Sequence, residues 1–447
     1  MIGEKEARKL SEAILKRCQG TPAEATIFFN DGALTRFANN FIHQNVSERD
    51  AEITIRCFKG KQIGTATTNR SDEAGLDELV QRAQDNAKVS PEDPNYPGLP
   101  EPATYMRVAA WDQPTADYSP EKRAQAVGSV CRLAVEKGLN ASGAFSTGSN
   151  ELVVINTQGV FAYHAQTSAD FQTVVMSDDS SGRAQESAWK AGDLDMETLG
   201  RTAIESAARG HNPRKIDPGE YPVVFEHYVT EDLLSMLNFY GMSAQALEEG
   251  RSWMNDRLGQ QVMSPLVNIW DDGNDTAGAP LPFDFEGVPK QRVEIVKEGV
   301  VMGPVYDRYT GAKMGKPSTG HAVPISFRGM GPIAMNLFMA PGKAAVDEMI
   351  RSTEKGLYIN RFWYTRLVHP RDCIITGMTR DGVFMIENGE LAYPVKNLRF
   401  TMSYVQALAN VEAIGKESHL LVGEYGGFGT RIPALKIKGF KFTGSTV

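Results

Sequence analysis

Helical and strand-like hydrophobic patterns alternate along the first half of the chain. Apolar residues recur at helical spacing between residues 7 and 18, which predicts an amphipathic helix at the start. Between residues 52 and 57, apolar residues alternate with Glu52, Thr54 and Arg56. This alternation predicts a strand with one buried face and one solvated face that carries these three residues.

The same order of elements then recurs. Ser71 is the predicted N-cap of a second helix, and the proline-rich residues 90–118 predict a surface connection. Ser119 and the proline that follows it predict the start of a third helix, and a fourth is expected near residues 197–209. Helix, strands and helix therefore occur twice, which suggests an internal duplication, although the sequence shows no residue-level repeat.

The second half is dominated by strand signals. Turn residues at 212–219 predict a boundary between an N-terminal α/β domain, 1–215, and a C-terminal β-rich domain, 216–447. Asn388 and the glycine after it predict a type I′ hairpin. Apolar residues alternate with lysines over residues 435–442, which predicts a late strand with one solvated face. The predicted fold class is α+β.

Two further helices are expected in the second half, near residues 231–246 and 344–351. The most apolar long stretch, residues 331–346, contains asparagine, proline, glycine and lysine, and is too short to span a bilayer. The N-terminus carries no apolar leader, so we expect a cytoplasmic protein with no membrane partner.

Composition narrows the class of protein. The chain has 447 residues, of which 41% are hydrophobic, which is ample for a buried core and excludes disorder as the main state. There are 47 basic and 55 acidic residues, and the net charge of −8 argues against a dedicated nucleic-acid binder. The four cysteines form no CxxC motif, so we expect reduced, mostly buried thiols, with Cys373 in the core.

No self-sufficient catalytic motif is present in the sequence. There is no GxSxG, and the glycines at 423, 426, 427 and 429 favour a flexible lead into a strand over a nucleotide loop. No two of the seven histidines have the spacing of HExxH or HExxxH. The nearest substitute is Glu226, His227 and Glu231, where His227 is expected at a strand-to-helix corner, and a solvated corner is favoured over a metal site.

Several segments, taken in order, resemble the TldD/PmbA family, also called modulators of DNA gyrase. The strongest is PFDFEGVP at residues 282–289. The others are TRFANN and IHQ at 35–44, GTATTN at 64–69 with GL at 75–76, YDRYT at 306–310, STGHA at 318–322, RFWY at 361–364, IENG at 386–389 and PVK at 394–396. The matches extend from about residue 35 to the C-terminus.

The resemblance implies an N-terminal α/β domain, a β-rich C-terminal domain and a dimer that encloses a central cavity. In this family the TldD-type subunit carries HExxxH on a helix and a later cysteine. These residues hold zinc, and the glutamate is the general base for cleavage of extended or unfolded peptides. The partner subunit, called TldE or PmbA, lacks them.

At the positions of that motif this sequence has other residues. By alignment, Ser235 and Tyr240 stand at the histidine positions, Met236 at the position of the base, and Val422 near that of the cysteine. Serine is a poor zinc ligand, and a thioether takes no proton at neutral pH. Leu233, Leu234, Leu237 and Tyr240 also form an apolar stripe that core packing explains.

Our hypothesis is therefore that the chain is a non-metal-binding, TldE/PmbA-type subunit of a zinc metallopeptidase. No catalytic residue, metal ligand or cofactor is expected in this chain, and zinc is expected in a TldD-type partner. The candidate peptide-binding residues are Ser318, Thr319, His321 and Tyr240. One alternative is a homodimeric peptide-binding or regulatory protein without protease activity. The other is an enzyme with a metal site at Glu226, His227 and Glu231.

Overall fold

The computed structural model describes residues 1–18, 20–422 and 429–445. The helices are α1 (Glu4–Arg17), α2 (Glu73–Val89), α3 (Gln113–Ala116), α4 (Pro120–Glu136), α5 (Met196–Arg209), α6 (His227–Gly241), α7 (Ala244–Glu248), α8 (Arg308–Met314), α9 (Val346–Arg351) and α10 (Tyr404–Ala409). The strands are β1 (Ala23–Ala38), β2 (Phe41–Lys59), β3 (Gln62–Thr68), β4 (Asn140–Asn156), β5 (Phe161–Met176), β6 (Ser181–Ala188), β7 (Gly219–Phe225), β8 (Ile269–Asp271), β9 (Val293–Lys297), β10 (Val300–Val301), β11 (Asn336–Met339), β12 (Lys355–His369), β13 (Ile374–Glu387), β14 (Glu390–Pro394), β15 (Leu398–Ser403), β16 (Val411–Val422) and β17 (Gly429–Ser445). The glycines at 423, 426 and 427 lie outside the described residues.

The N-terminal half forms one six-stranded antiparallel sheet with the order β3-β2-β1-β4-β5-β6. Each half of this sheet is a three-stranded meander preceded by one helix and followed by another, as α1-β1-β2-β3-α2 and α4-β4-β5-β6-α5. The two halves meet where β1 pairs antiparallel with β4. The duplication expected from the sequence is thus visible in the topology.

Two glycines give the duplication a residue-level counterpart that the sequence did not reveal. Gly64 in β3 lies so close to α2 that a Cβ there would be 2.1 Å from the backbone nitrogen of Ala87. Gly182 in β6 lies against α5 in the same way, and its Cβ would be 2.8 Å from the backbone nitrogen of Ala207. In both halves a glycine allows the last helix to pack directly on the third strand.

Gly64→Ala is therefore expected to destabilise the protein by about 1–3 kcal/mol, because neither the strand backbone nor the helix backbone can move aside cheaply. Chemical denaturation of the full chain measures this loss. Gly128→Ala in α4 is the matched control, since its Cβ would meet only the end of the Arg132 side chain at 3.4 Å. That helical substitution should be neutral or stabilise by about 0.5–1 kcal/mol. Equal destabilisation by both substitutions would contradict the argument.

Most of the predicted helices are confirmed with small shifts at their ends, but the helix expected near residues 231–246 is two helices, α6 and α7, separated at Met242 and Ser243. Asp72 caps α2 in place of Ser71, because its carboxylate accepts a hydrogen bond from the backbone N–H of Gly75 at 2.9 Å. Ser119 caps α4 as predicted and accepts from the backbone N–H of Lys122.

The predicted solvated face of β2 is partly wrong. Thr54 and Arg56 are both buried. Arg56 pairs with Glu24, and this ion pair lies beneath the C-terminal domain. Arg328 of the second half forms ion pairs with two carboxylates, since one of its Nη atoms lies 3.0 Å from Glu24 and the other lies 3.0 Å from Glu286. This buried network joins the N-terminal sheet to the second half of the chain.

The C-terminal half is built on a sheet that closes on itself. β7 pairs with β12 on one side and with β17 on the other, so that β7, β12, β13, β15 and β17 form a ring. Aromatic side chains pack together in its core, with the rings of Phe362 and Phe400 4.2 Å apart and those of Phe225 and Phe440 5.2 Å apart. The ring holds the start of α6 in a fixed position, because α6 follows β7 directly.

Two predictions about this half have different outcomes. The type I′ hairpin is confirmed, since Asn388 and Gly389 connect β13 to β14 with φ angles of 52° and 79°. The late strand is confirmed as β17, but its lysine face is not fully solvated. Lys436 is buried and donates to the backbone oxygen of Ser352 at 2.9 Å.

The remaining expectations concern the boundary, the cysteines and the membrane. The boundary after residue 215 falls between α5 and β7 and stays a prediction. All four cysteines are buried and unpaired, and burial raises the pKa of Cys373 to about 12, as expected of a core thiol. Within the described ranges, every helix is too short or too polar to cross a bilayer.

Candidate functional site

The candidate site is built on α6 and the strands around it. Glu226 is the N-cap of α6 and directly follows β7, so His227 lies at the predicted strand-to-helix corner, but this corner is buried and not solvated as expected. Leu233, Leu234 and Leu237 are fully buried in the C-terminal core, which confirms the apolar stripe. The buried stripe fixes the rotation of α6 and leaves its other face for a cavity.

This cavity has a volume of about 320 Å³. Its lining residues are Arg183, Gln185, Tyr228, Glu231, Asp232, Ser235, Met236, Arg361, Phe362, Trp363, Tyr364, Thr365, Arg366, Leu421 and Val422. Three of the four residues that the resemblance places at the family's zinc motif line this one cavity, namely the adjacent Ser235 and Met236 and the distant Val422. Hereafter this space is called the α6 cavity.

The α6 side of the cavity is already hydrogen-bonded. The Ser235 hydroxyl donates to Glu231 Oε1 at 2.6 Å, one helical turn away. Asp232 accepts hydrogen bonds from the hydroxyls of Thr365 at 2.8 Å and Tyr404 at 2.5 Å. Burial raises the pKa of Tyr404 well above its ordinary value, so this phenol stays a donor to Asp232 and ties α10 to α6, while Thr365 ties β12 to α6.

Tyr240 is oriented differently from the other three aligned residues. Its ring lies 5.1 Å from that of Phe239 and packs, partly buried, against the C-terminal core. Among the described residues that line the α6 cavity, Tyr240 is not included. Packing thus accounts for this side chain, and its contact with a peptide stays a prediction.

The β12 wall of the cavity combines aromatic rings with guanidinium groups. Arg361 and Arg380 lie over the ring of Trp363 at 4.9 and 4.8 Å, and Arg361 Nε is 2.5 Å from Asp381 Oδ2. Arg366 lies 4.3 Å from the ring centre of Tyr364. Such cation–π and ion-pair contacts hold the side chains of this wall in place.

The three other candidate peptide-binding residues lie in a polar loop after α8. The hydroxyls of Ser318 and Thr319 lie 3.2 and 3.0 Å from the backbone oxygen of Tyr306. His321 is fully buried, with Nε2 2.8 Å from Asp271 Oδ1. None of the three is among the described residues around the α6 cavity, so their role in peptide binding stays a prediction.

The alternative trio of metal ligands does not assemble as expected. Glu226 Oε2 is 3.3 Å from His227 Nδ1, but Glu231 lines the α6 cavity and accepts from Ser235. Within the described part of the chain, the side chains close enough to share a metal ion are instead Glu186, His227 and His419.

Sequence reasoning missed most of the cavity wall. Arg361 and Arg366 occur in one short run with three aromatic residues, and this run is the signal that could have indicated a binding surface. Arg183 and Gln185 come from the distant strand β6, and only the folded chain brings them to α6.

Three family models match consecutive parts of this chain. The model of the PmbA/TldA metallopeptidase domain 1 matches residues 29–87, the central-domain model matches residues 115–210, and the C-terminal-domain model matches residues 218–444. Together they cover both sheets and all the residues that line the α6 cavity.

Individual relatives agree with these matches. The chain is 21% identical over 392 residues to the metalloprotease TldD homolog of Haemophilus influenzae, covering 84% of this chain and 81% of that protein. It is 22% identical over 386 residues to the metalloprotease PmbA of Escherichia coli, and the match covers 82% of this chain and 81% of that protein. A crystal structure of TldE from Thermococcus kodakarensis has the same fold, with a TM-score of 0.89 and 19% identity over 98% of this chain and 100% of that one.

Proposed function

The chain belongs to the PmbA/TldD metallopeptidase family, and we propose that it is the TldE/PmbA-type subunit of a zinc metallopeptidase, without catalytic residues of its own. The observation that carries this proposal is the convergence of Ser235, Met236 and Val422 on the α6 cavity. At this place a catalytic subunit would need imidazole or thiolate ligands and a carboxylate base. The hydroxyl of Ser235, the thioether of Met236 and the isopropyl group of Val422 supply neither such a zinc ligand nor a base.

Overall similarity does not separate the two kinds of subunit. The relatives named above include a TldD homolog and a PmbA protein at nearly the same identity, 21% and 22%. The assignment to the TldE/PmbA type therefore depends on the side chains at the cavity. Replacement of two ligands and the general base together removes the catalytic apparatus and leaves no weakened version of it.

The proposed role of this subunit is to complete the dimer cavity and to bind an extended peptide. β12 pairs with β7 only as far as Ile359, and residues 361–366 continue along the α6 cavity. A peptide that lies along a strand edge is held by main-chain hydrogen bonds, so its recognition is largely independent of sequence. This property suits substrates that are unfolded or extended.

The chemistry of the cavity wall fits such a ligand. Trp363 and Tyr364 present aromatic side chains beside the strand, each with a guanidinium group over its ring, and Glu231 adds a carboxylate to the same cavity. A mixed wall of this kind contacts varied side chains without a strong preference for one of them.

Purified alone, the chain is expected to show no chelator-sensitive cleavage of an unstructured polypeptide. Mixed with a TldD-type subunit that carries HExxxH, it should yield cleavage well above that of either chain alone, because the zinc and the base are then supplied. The assay follows peptide release by mass spectrometry with and without a chelator. Robust, chelator-sensitive cleavage by the lone chain would overturn the proposal.

Size-exclusion chromatography of the same mixtures tests the partner assignment. A 1:1 complex with the TldD-type subunit supports the proposed pair. A stable homodimer with no affinity for that subunit would favour the alternative of a binding or regulatory protein. We place the pair in the cytoplasm, in keeping with four unpaired cysteines.

A further inference from the structure

A second group of potential metal ligands lies on the other side of β6 from the α6 cavity. Gln185 lines the cavity, and Glu186, the next residue of the strand, points away from it towards His227 and His419. One ligand atom from each of these three side chains lies within 4.8 Å of the other two. The rings of His227 and His419 are stacked with their centres 4.0 Å apart.

His227 provides an independent indication that a ligand is missing from this group. The residue is buried, and its Nε2 atom has no hydrogen-bond partner. A buried ring nitrogen without a partner costs free energy, and buried polar atoms in proteins are normally satisfied.

The other nitrogen of His227 has the contact that metal-bound histidines usually show. Its Nδ1 atom lies 3.3 Å from Glu226 Oε2, and Glu226 Oε1 accepts a hydrogen bond from Tyr358 at 2.9 Å. A carboxylate on the far nitrogen fixes the tautomer and the ring orientation of a metal-ligating histidine. Nε2 is therefore the atom left to bind a metal.

An ion pair accounts for only part of this arrangement. Glu186 Oε2 is 2.7 Å from His419 Nδ1, and Glu186 Oε1 accepts from the backbone N–H of Leu420 at 3.2 Å. These contacts satisfy the carboxylate and one nitrogen of His419, but they leave His227 Nε2 without a partner. A cation bound by all three side chains would satisfy it.

We propose that Glu186, His227 and His419 bind a divalent metal ion of the zinc type, outside the cavity where the family places its catalytic zinc. Two imidazoles and one carboxylate are a ligand set that zinc favours, with water as the fourth ligand. With metal–ligand bonds of about 2.1 Å, tetrahedral geometry needs ligand atoms about 3.4 Å apart, so the side chains must close in by about an ångström. Glu186 and His419 are partly exposed, with 22% and 32% of the side chain accessible, and can make this adjustment.

The bound ion would connect distant parts of the chain. Glu186 belongs to β6 of the central domain, whereas His227 starts α6 and His419 lies in β16 of the C-terminal domain. A metal at their junction would fix the central sheet against the C-terminal domain and stabilise the folded state. The proposal is independent of the subunit assignment, because it uses none of the residues that line the α6 cavity.

The test uses the full chain, stripped with a chelator, incubated with zinc, desalted and analysed by inductively coupled plasma mass spectrometry. We expect about one zinc per chain, and a rise in melting temperature on zinc addition. His419→Asn, at a partly exposed position, should weaken zinc binding at least about tenfold and remove the rise in melting temperature. His227→Asn should also weaken zinc binding and remove the thermal shift, provided that circular dichroism shows the variant to be folded.

His211→Asn is the matched control, because His211 is half exposed and pairs with Asp179 at the surface. This variant should keep both the bound zinc and the thermal shift. Zinc retained unchanged in His419→Asn, zinc lost equally in the control, or no stoichiometric zinc in the wild type would each overturn the proposal. None of these results would alter the expected pairing with a TldD-type subunit.

Discussion

Ser235→Trp is expected to lower peptide hydrolysis by a reconstituted pair at least about tenfold, because a displaced substrate loses its alignment with the catalytic groups. Ser235 lies in the α6 cavity, whose volume is about 320 Å³. An indole at this position would occupy the space between α6 and residues 361–366 of β12, along which we place the peptide. The measurement is the initial rate of cleavage of an unstructured polypeptide, with the complex verified by size-exclusion chromatography.

Ser235→Ala is the matched control and should keep at least about half of the activity, because it removes one hydrogen bond to a partly exposed partner. That bond is the contact of the Ser235 hydroxyl with Glu231 at 2.6 Å. Loss of activity in Ser235→Ala would mean that the hydroxyl takes part in the reaction, against the proposed function. Full activity in Ser235→Trp would mean that the peptide does not enter this cavity.

Asp271→Asn is expected to cost about 3–5 kcal/mol of folding free energy, because it leaves a buried charge without its counter-charge. The side chains of Asp271, Lys290 and His321 are fully buried. Asp271 Oδ1 lies 3.6 Å from Lys290 Nζ and 2.8 Å from His321 Nε2, and Oδ2 accepts from the backbone N–H of Asn336 at 2.6 Å. Asparagine keeps the shape of the Asp271 side chain but removes the negative charge that compensates the Lys290 ammonium.

The same substitution should change how stability depends on pH. Burial alone would raise the pKa of Asp271, but the Lys290 ammonium and the hydrogen bond with His321 bring it down to about 2. This pKa lies below the ordinary value near 4, so the carboxylate contributes stability above about pH 4 and loses it as the pH falls towards 2. Asp271→Asn should therefore flatten the acid limb of the stability profile.

Denaturant titrations of the full chain between pH 2 and 7 measure both effects. Asp178→Asn is the control, because Asp178 is exposed, and its stability should stay within about 0.5 kcal/mol of the wild type. If Asp271→Asn is as stable as this control, the buried cluster does not hold the loop of His321.

Local sequence signals were sufficient for the long helices and for some of the strands. The hairpin at Asn388 follows from the positive φ angles that a type I′ turn needs, and α6 follows from the spacing of its leucines. Both depend on interactions within a few residues. The start of α2 was displaced by one residue, to Asp72, because Ser71 and Asp72 are both capable caps and sequence alone does not choose between them.

Burial of charged residues could not be predicted in the same way. Arg56 alternates with apolar residues as a solvated side chain would, yet it is buried against Glu24 and beneath Arg328. Its partners are distant in sequence, so only the contact between the two halves of the chain reveals them. Lys436 is buried for the same kind of reason, through its hydrogen bond to Ser352.

The candidate site was accessible to sequence reasoning only in part. The resemblance to the family pointed to Ser235, Met236 and Val422, which the fold brings to one cavity. The approach of Glu186 and His419 depends on how β6 and β16 meet, and no local motif encodes it. The sequence therefore led to the proposal that the α6 cavity lacks zinc ligands, while the structure was needed to bring Glu186, His227 and His419 together.

Anomalous scattering gives the sharpest test of the proposal that this chain has no zinc site in its α6 cavity. Crystals of the full chain grown with zinc would give a difference map at the zinc absorption edge. We expect no peak within bonding distance of Ser235, Met236 or Val422, and any strong peak should lie between Glu186, His227 and His419. A zinc ion coordinated by side chains of the α6 cavity would contradict the account.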